Sequence, residues 1–511
     1  MKTFAAIDVG SYELAMKIFE ISGKGNIKEI DHIRHRIELG TDTYNTGKIN
    51  NERVDELCDY LQEFKQIAKS YKVDSMKIYG TSALRETENS MIITERIKIR
   101  TGLNVEILSN SEQCFLHYKA VASKGERFES LISDGTAMVD IGGGSIQISI
   151  FDKEKLITTQ NIRLGILRIR EMLADIQPKT TDYTKLVEEL VDNHLCPFKA
   201  LYLKNIDIKN VIIVDDYIST IIQKAFQKEY IKASEYESFM EDVKKSNINT
   251  LFKTFGIGQE SASLLPASAV LLMRLLVHTG AKKIWAPGVS LADGIAYDYA
   301  EKEKLIKESH DFEADVISEA ESIAKRYNAN KKRNELVWEI AKSIFDGTKK
   351  LHGMGQREKL LLHVATILGD CGKYMSFEQA AECSYEIIMK TELIGLSHNE
   401  REIVANVVKF NKTHFVYYNE LAKGMIIDKK AYLTMAKLTA LFRIADGVCR
   451  SYRTKVNGVK VNLKEDTLVI EIDSDEDVLL ERGFFERKAR FFEEAFSVKP
   501  VIKYKKKITG A

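Results

Sequence analysis

Along the first 150 residues, apolar runs of strand length alternate with stretches in which apolar residues recur every three or four positions. FAAIDVGSYELAMKIFEI predicts a strand, a tight turn at Asp8–Gly10 and a second strand, apolar before the corner and alternating after it. Val54, Leu57, Leu61, Phe64 and Ile67 fall at helical spacing within residues 51–71. VDSMKIYGTSALRETEN reads as a strand ending at Gly80 and a helix capped by Thr81 or Ser82. NVEILSNSEQCFLHYKAV repeats that plan. MVDIGGGSIQISIF then reproduces the opening unit, with Asp140 standing before Gly142–Gly144 as Asp8 stands before Gly10. Two such openings predict an internally duplicated α/β domain with a cleft between its halves. The halves are expected at 1–125 and 126–302. From about residue 305 the pattern is helical almost throughout, giving an all-α domain over 303–455. Period-two alternation in KVNGVKVNLKEDTLVIEID, together with KPVIKYKKK, predicts a small C-terminal α/β piece over 456–511.

Composition narrows the classes of function. The 511 residues are 44% hydrophobic and 29% charged, which suits packed cores and several domains and excludes disorder. Lys+Arg 75 against Asp+Glu 74 leaves no global basic field to recruit DNA, RNA or a membrane surface, so any anion site is local. MKTFAAIDVG runs straight into a strand pattern, with no signal peptide and no bilayer-length apolar run. The six scattered cysteines read as reduced thiols of a cytoplasmic protein, not as a disulfide frame or a zinc site.

The candidate chemistry lies in the two glycine turns. Glycine tolerates positive φ and close approach of a ligand to the backbone, and successive N–H groups in such a turn form a concavity for phosphate oxygens. An Asp at the strand end, Asp8 or Asp140, suits Mg²⁺, which offsets phosphate charge.

AAIDVGSYE, YGTSALRETEN, VEILSNSEQ, VDIGGGSIQ and LFRIADGVCRSY, in this order, resemble the exopolyphosphatase/guanosine pentaphosphate phosphohydrolase (Ppx/GppA) family, over nearly the whole chain. The resemblance implies a duplicated actin-like domain of the actin/sugar kinase/Hsp70 superfamily. An all-α domain related to HD phosphohydrolases often follows it. It implies a first phosphate loop at Asp8, Gly10 and Ser11, and a second at Gly142, Gly143, Gly144 and Ser145. Thr81, Ser82 and Arg85 match the family's loop-and-helix stretch, where the arginine faces the anion and its planar fork of donors suits phosphate. Polyphosphate or guanosine phosphates are the implied ligands, and a homodimer the implied assembly.

The chain also departs from the family. Two glutamates that place and activate the attacking water fall here on Gln113 and Gln147. A glutamine orients water but has no useful basicity, so the substitutions predict slow turnover. Glu112 is either a displaced base or a helix N-terminal carboxylate complementing the dipole; a one-residue step turns a side chain about 100° around the helix. Tyr12 and Glu13 replace small polar residues, and Asp215 and Asp216 would repel a polyanion they faced. Leu291–Gly294 lacks a family arginine. In ILGDCGKY, Gly369 replaces the histidine of the HD signature, leaving Asp370 without imidazole partners and with Cys383 where a histidine is common. His363 and His398 have no partners at ligand spacing. Two readings remain open: a Mg²⁺-dependent phosphoanhydride hydrolase, and a polyphosphate- or nucleotide-binding regulator with little turnover. Kinase chemistry is disfavoured because no adenosine-binding glycine pair appears near residue 215.

Overall fold

In the computed structural model of the protein, the first apolar run is β1 (Lys2–Val9), turned back at Gly10 into β2 (Glu13–Ser22), with β3 (Asn26–Arg36) following. The structure describes all residues except 24–25, 181, 215, 246–263, 308–309, 422–426, 450–457, 475, 477 and 506–511. Asp215, the expected junction at 455/456 and the end of LFRIADGVCRSY therefore lie outside the described residues, as does the side chain of Asp216. The chain forms two units, Met1–Asp311 and Phe312–Ala511.

The duplication is visible in the strand order of the first unit. β4 (Ser75–Gly80) joins β1 in parallel and β5 (Glu106–Ile107) joins β4, giving the order β3-β2-β1-β4-β5. The second sheet contains β6 (Thr136–Ile141), β7 (Ile146–Asp152), β8 (Lys155–Ile162), β9 (Asn210–Val214), β10 (Tyr230–Lys232) and β11 (Lys283–Trp285). Its order, β8-β7-β6-β9-β11, repeats the first sheet, with β10 added at the edge. Within each half the glycine turn is closed the same way: Gly10 N donates to Glu13 O and Gly142 N to Ser145 O, both at 3.0 Å. Asp8 therefore pairs in register with Ala15, and Asp140 with Gln147.

Both faces of the central strands are covered, which explains runs that are apolar without interruption. Ala5, Ile7 and Val9 enter one core, while Phe4 and Ala6 enter another with Leu116 and Ile295. Helix Leu291–Lys302 packs so closely on helix Asn110–Ala122 that a Cβ on Gly294 would meet the Leu116 carbonyl oxygen at 1.9 Å. In the stretch that lacks the family arginine, Asp293 caps its helix through Ser290 and lies 2.8 Å from the buried Lys17 amine. Burial alone would raise that carboxyl; Lys17 more than offsets it and holds it low.

The second unit is helical around one core, with a three-stranded sheet, β12 (Gly458–Lys464), β13 (Thr467–Asp473) and β14 (Lys499–Lys505), resting on helix Leu479–Phe496. Asp370 is surrounded by cations, Lys412 at 2.7 Å, Lys373 at 3.0 Å and Arg333 at 3.2 Å. The other arm of Arg333 reaches Asp446 at 2.5 Å. A guanidinium thus bridges the two carboxylates. No helix among the described residues is long and apolar enough to cross a membrane.

His363 stacks on Trp338 with ring centroids 3.9 Å apart. Burial, with a smaller push from Lys342, lowers its imidazole from 6.5 to about 4. A depressed histidine contributes stability that is complete above the unfolded value and is lost as pH falls through the folded one. Unfolding of this unit should therefore become easier between pH 6.5 and 4, by on the order of 2 kcal/mol given the ring's partial exposure. Denaturant titrations of the natural chain and His363→Phe at both pH values check this; the variant should lose most of the difference.

Candidate active site

The two glycine turns face a common cavity of about 360 Å³ in the first unit, within the range of small-ligand sites. Asp8, Gly10 and Ser11 line one wall, and Asp140, Gly142 and Gly143 line the other. Thr81, Ser82 and Gln113 close the space between them. Gly144, Ser145, Arg85, Glu112 and Gln147 are not among the lining residues.

The glycines are required for space. None of Gly10, Gly142, Gly143 and Gly144 has positive φ. A Cβ on Gly10 would lie 2.7 Å from the Glu13 carbonyl oxygen, and one on Gly144 only 2.0 Å from the Tyr44 hydroxyl. Tyr44 thus fills the place where Gly144 was expected to offer backbone to a ligand. Its hydroxyl, pushed up by burial and so kept protonated, sits 2.8 Å from Ser11 Oγ, which is in turn 2.7 Å from Ser82 Oγ. Arg168 stacks over the Tyr44 ring, donates to the Gly144 carbonyl at 2.8 Å and pairs with Glu86. Both turns are thereby braced from behind.

Helix Asn110–Ala122 carries the remaining groups. Ser109 caps it, and Glu112 returns a carboxylate oxygen to the Ser109 N–H at 2.9 Å and its hydroxyl at 2.7 Å. Of the two roles considered for Glu112, the structure gives it the helix-terminal one; the displaced-base expectation is corrected, because the capping box holds the side chain away from the cavity. Arg85 reaches the first turn of this helix. Its Nη1 donates to the Leu108 carbonyl at 2.7 Å and to Gln113 Oε1 at 3.3 Å. A guanidinium only donates, so it fixes the amide with its oxygen towards Arg85 and leaves the NH₂ end for a ligand. Gln147 is 2% exposed; its Nε2 donates to the Asn110 carbonyl at 3.2 Å, and its Oε1 has no hydrogen-bond partner among the described residues.

His117 is a cavity residue that the sequence did not suggest. It lies one helical turn beyond Gln113 on the same face, lines the cavity, and places Nδ1 2.8 Å from Asp140 Oδ2. A single histidine in an apolar helix carries no spacing signal, and its partner is on another element. Tyr12, Glu13 and Lys224 also line the cavity. Among the described residues, no group of three or more His, Cys, Asp or Glu is placed to hold a metal ion.

The model of the Ppx/GppA phosphatase family matches residues 18–303, and that of Ppx/GppA phosphatase domain III matches 317–487. A guanosine-5'-triphosphate,3'-diphosphate pyrophosphatase of Photobacterium profundum is 21% identical over 429 residues, 80% of either chain. Exopolyphosphatase 1 of Mycobacterium bovis is 28% identical over 173 residues, 34% of this chain and 49% of that protein. The solved exopolyphosphatase of Cytophaga hutchinsonii superposes with a TM-score of 0.52 at 18% identity, over 60% of this chain and all of its own (100%), a likeness of fold.

Proposed function

The chain belongs to the Ppx/GppA phosphatase family, and on that premise we propose that it is a slow phosphoanhydride hydrolase releasing terminal phosphate from polyphosphate or guanosine pentaphosphate. The observation that carries this reading is the convergence of both glycine turns, Asp8, Asp140, Thr81 and Ser82 on one cavity. The Ser11–Ser82 hydroxyl pair and the backbone of both turns offer donors to phosphate oxygens. Water attacks the terminal phosphorus and the bridging P–O bond breaks, so that catalysis is mainly positioning and charge stabilisation.

The residues present fit a divalent cation such as Mg²⁺. Asp8 and Asp140 supply hard oxygens in the cavity, Gln147 Oε1 is an orphaned buried acceptor, and magnesium is commonly bound through one or two carboxylates plus substrate phosphates. When bound, such an ion neutralises phosphate charge.

Gln113 supports a second reading, a polyphosphate- or nucleotide-binding regulator. Arg85 turns its amide so that the donor end is left for the ligand, an arrangement that grips anions and accepts no proton. Phosphate release from medium-length polyphosphate and from guanosine pentaphosphate with Mg²⁺, alongside calorimetric affinities, separates the two. Slow but Mg²⁺-dependent release is expected. Tight binding with background release leaves the regulator, and absence of binding to either compound removes both readings.

A further inference from the structure

Resting on the reading of the cleft as a cation-assisted phosphate site, we propose that His117 and Gln147 complete a mixed nitrogen–oxygen site around Asp140, which selects a borderline transition-metal cation such as Mn²⁺ or Co²⁺ over Mg²⁺. Two acceptors meet there, and a third belongs to the strand paired with Asp140. Asp140 and Gln147 are direct cross-strand partners on β6 and β7, so their side chains leave the same face with Cβ atoms about 5 Å apart. Gln147 is 2% exposed, and its carbonyl oxygen receives no hydrogen bond among the described residues. A buried acceptor without a donor costs free energy unless something positive satisfies it. From the opposite element, helix Asn110–Ala122 brings His117 Nδ1 to 2.8 Å from Asp140 Oδ2. Two ligands about 2.1 Å from one ion and at right angles to each other are about 3 Å apart, so the observed separation suits a pair sharing a cation.

The donor set decides the class of ion. Carboxylate, carbonyl and water suit magnesium, whereas an imidazole nitrogen shifts preference towards first-row transition metals. The carboxylate count agrees: a neutral amide stands where the resemblance places a glutamate, which lowers the site's negative charge and weakens its hold on a hard ion that dehydrates reluctantly. Asp140 and His117 are only two ligands of the usual metal-binding types, in keeping with the absence of a larger cluster among the described residues. The Gln147 carbonyl and phosphate or water oxygens would fill the remaining positions.

The test uses the full chain, stripped with EDTA and without any phosphate compound. Mn²⁺ binding is followed by electron paramagnetic resonance, Mg²⁺ is titrated in competition, and pulsed measurements look for ¹⁴N coupling. Expected are Mn²⁺ binding at least tenfold tighter than Mg²⁺ and the coupling of a directly bound imidazole. His117→Leu should lose the coupling and most of the preference. Gln147→Glu should keep the coupling and tighten both ions, which guards against a His117 variant that fails to fold. Manganese bound without nitrogen coupling, or no preference over magnesium, overturns the proposal and leaves His117 as an ion-pair partner of Asp140. A protein that shows the coupling yet releases no phosphate from polyphosphate or guanosine pentaphosphate supports the metal site and contradicts the hydrolase reading, so the two fail separately.

Discussion

Replacing Gln113 and Gln147 together by glutamate should accelerate phosphate release from medium-length polyphosphate by on the order of 10²-fold or more, the usual contribution of a positioned general base. The natural protein has an amide lining the cavity at the first position and a buried amide outside that lining at the second, and neither takes a proton. The carboxylate introduced by Gln113→Glu would occupy a place already prepared for it, since Arg85 now donates to Gln113 Oε1 and would donate equally to a carboxylate oxygen. That pairing has a cost: it stabilises the ionised form and limits basicity, so the gain should fall short of the upper end of the range, near 10⁴. Affinity should move the other way, because two added negative charges beside a polyanion repel it. The expected signature is therefore a higher kcat with a higher KM. Malachite-green initial rates over a range of chain concentrations measure both. An unchanged kcat in a folded double variant would show that the amides are not what limits turnover.

The opening turns are legible because they are local. A strand, a corner and a returning strand occupy a dozen consecutive residues, and their recurrence at Asp8 and Asp140 points to the duplicated α/β fold without knowledge of any contact. The sheet orders bear that duplication out. The reason for the glycines is less accessible. Positive φ is a property of one residue, but the crowding that excludes a Cβ at Gly144 comes from Tyr44, a hundred positions away. Roles that depend on a partner elsewhere are the hardest to read. The resemblance has Arg85 facing the anion, and the sequence gives no hint that one of its nitrogens holds the Leu108 carbonyl and Gln113. His117 gives no signal, because an isolated histidine acquires meaning only through Asp140 across the cavity. Glu112 is the opposite case. Its capping partner stands three residues before it, and the helix-end alternative follows from sequence alone.

Arg333→Leu should destabilise the second unit by about 3–5 kcal/mol, the cost of breaking a buried ion pair from one side. Asp370 keeps Lys412 at 2.7 Å and Lys373 at 3.0 Å in such a variant, but Asp446, 3% exposed at its side chain, is left with Lys488 at 3.5 Å. Most of the penalty should therefore sit on Asp446. Arg333→Leu/Asp446→Leu should recover the greater part of it, because removing both charges leaves no buried carboxylate to compensate. The chain has two tryptophans, Trp285 in the first unit and Trp338 in the second, so fluorescence of a Trp285→Phe background follows this unit during denaturation. The acid limb gives an independent check. Burial raises the Asp446 carboxyl, while Lys488 and Arg333 more than reverse this and hold it below its ordinary 3.8. A depressed carboxyl contributes stability that is complete above the unfolded value and is lost as pH falls through the folded one. The natural chain should thus weaken progressively below about pH 4. Arg333→Leu should already be weak at pH 7 and lose less on further acidification. Equal slopes in the two proteins would mean that the guanidinium does not hold Asp446 ionised, and that the bridge between the carboxylates contributes little to this unit.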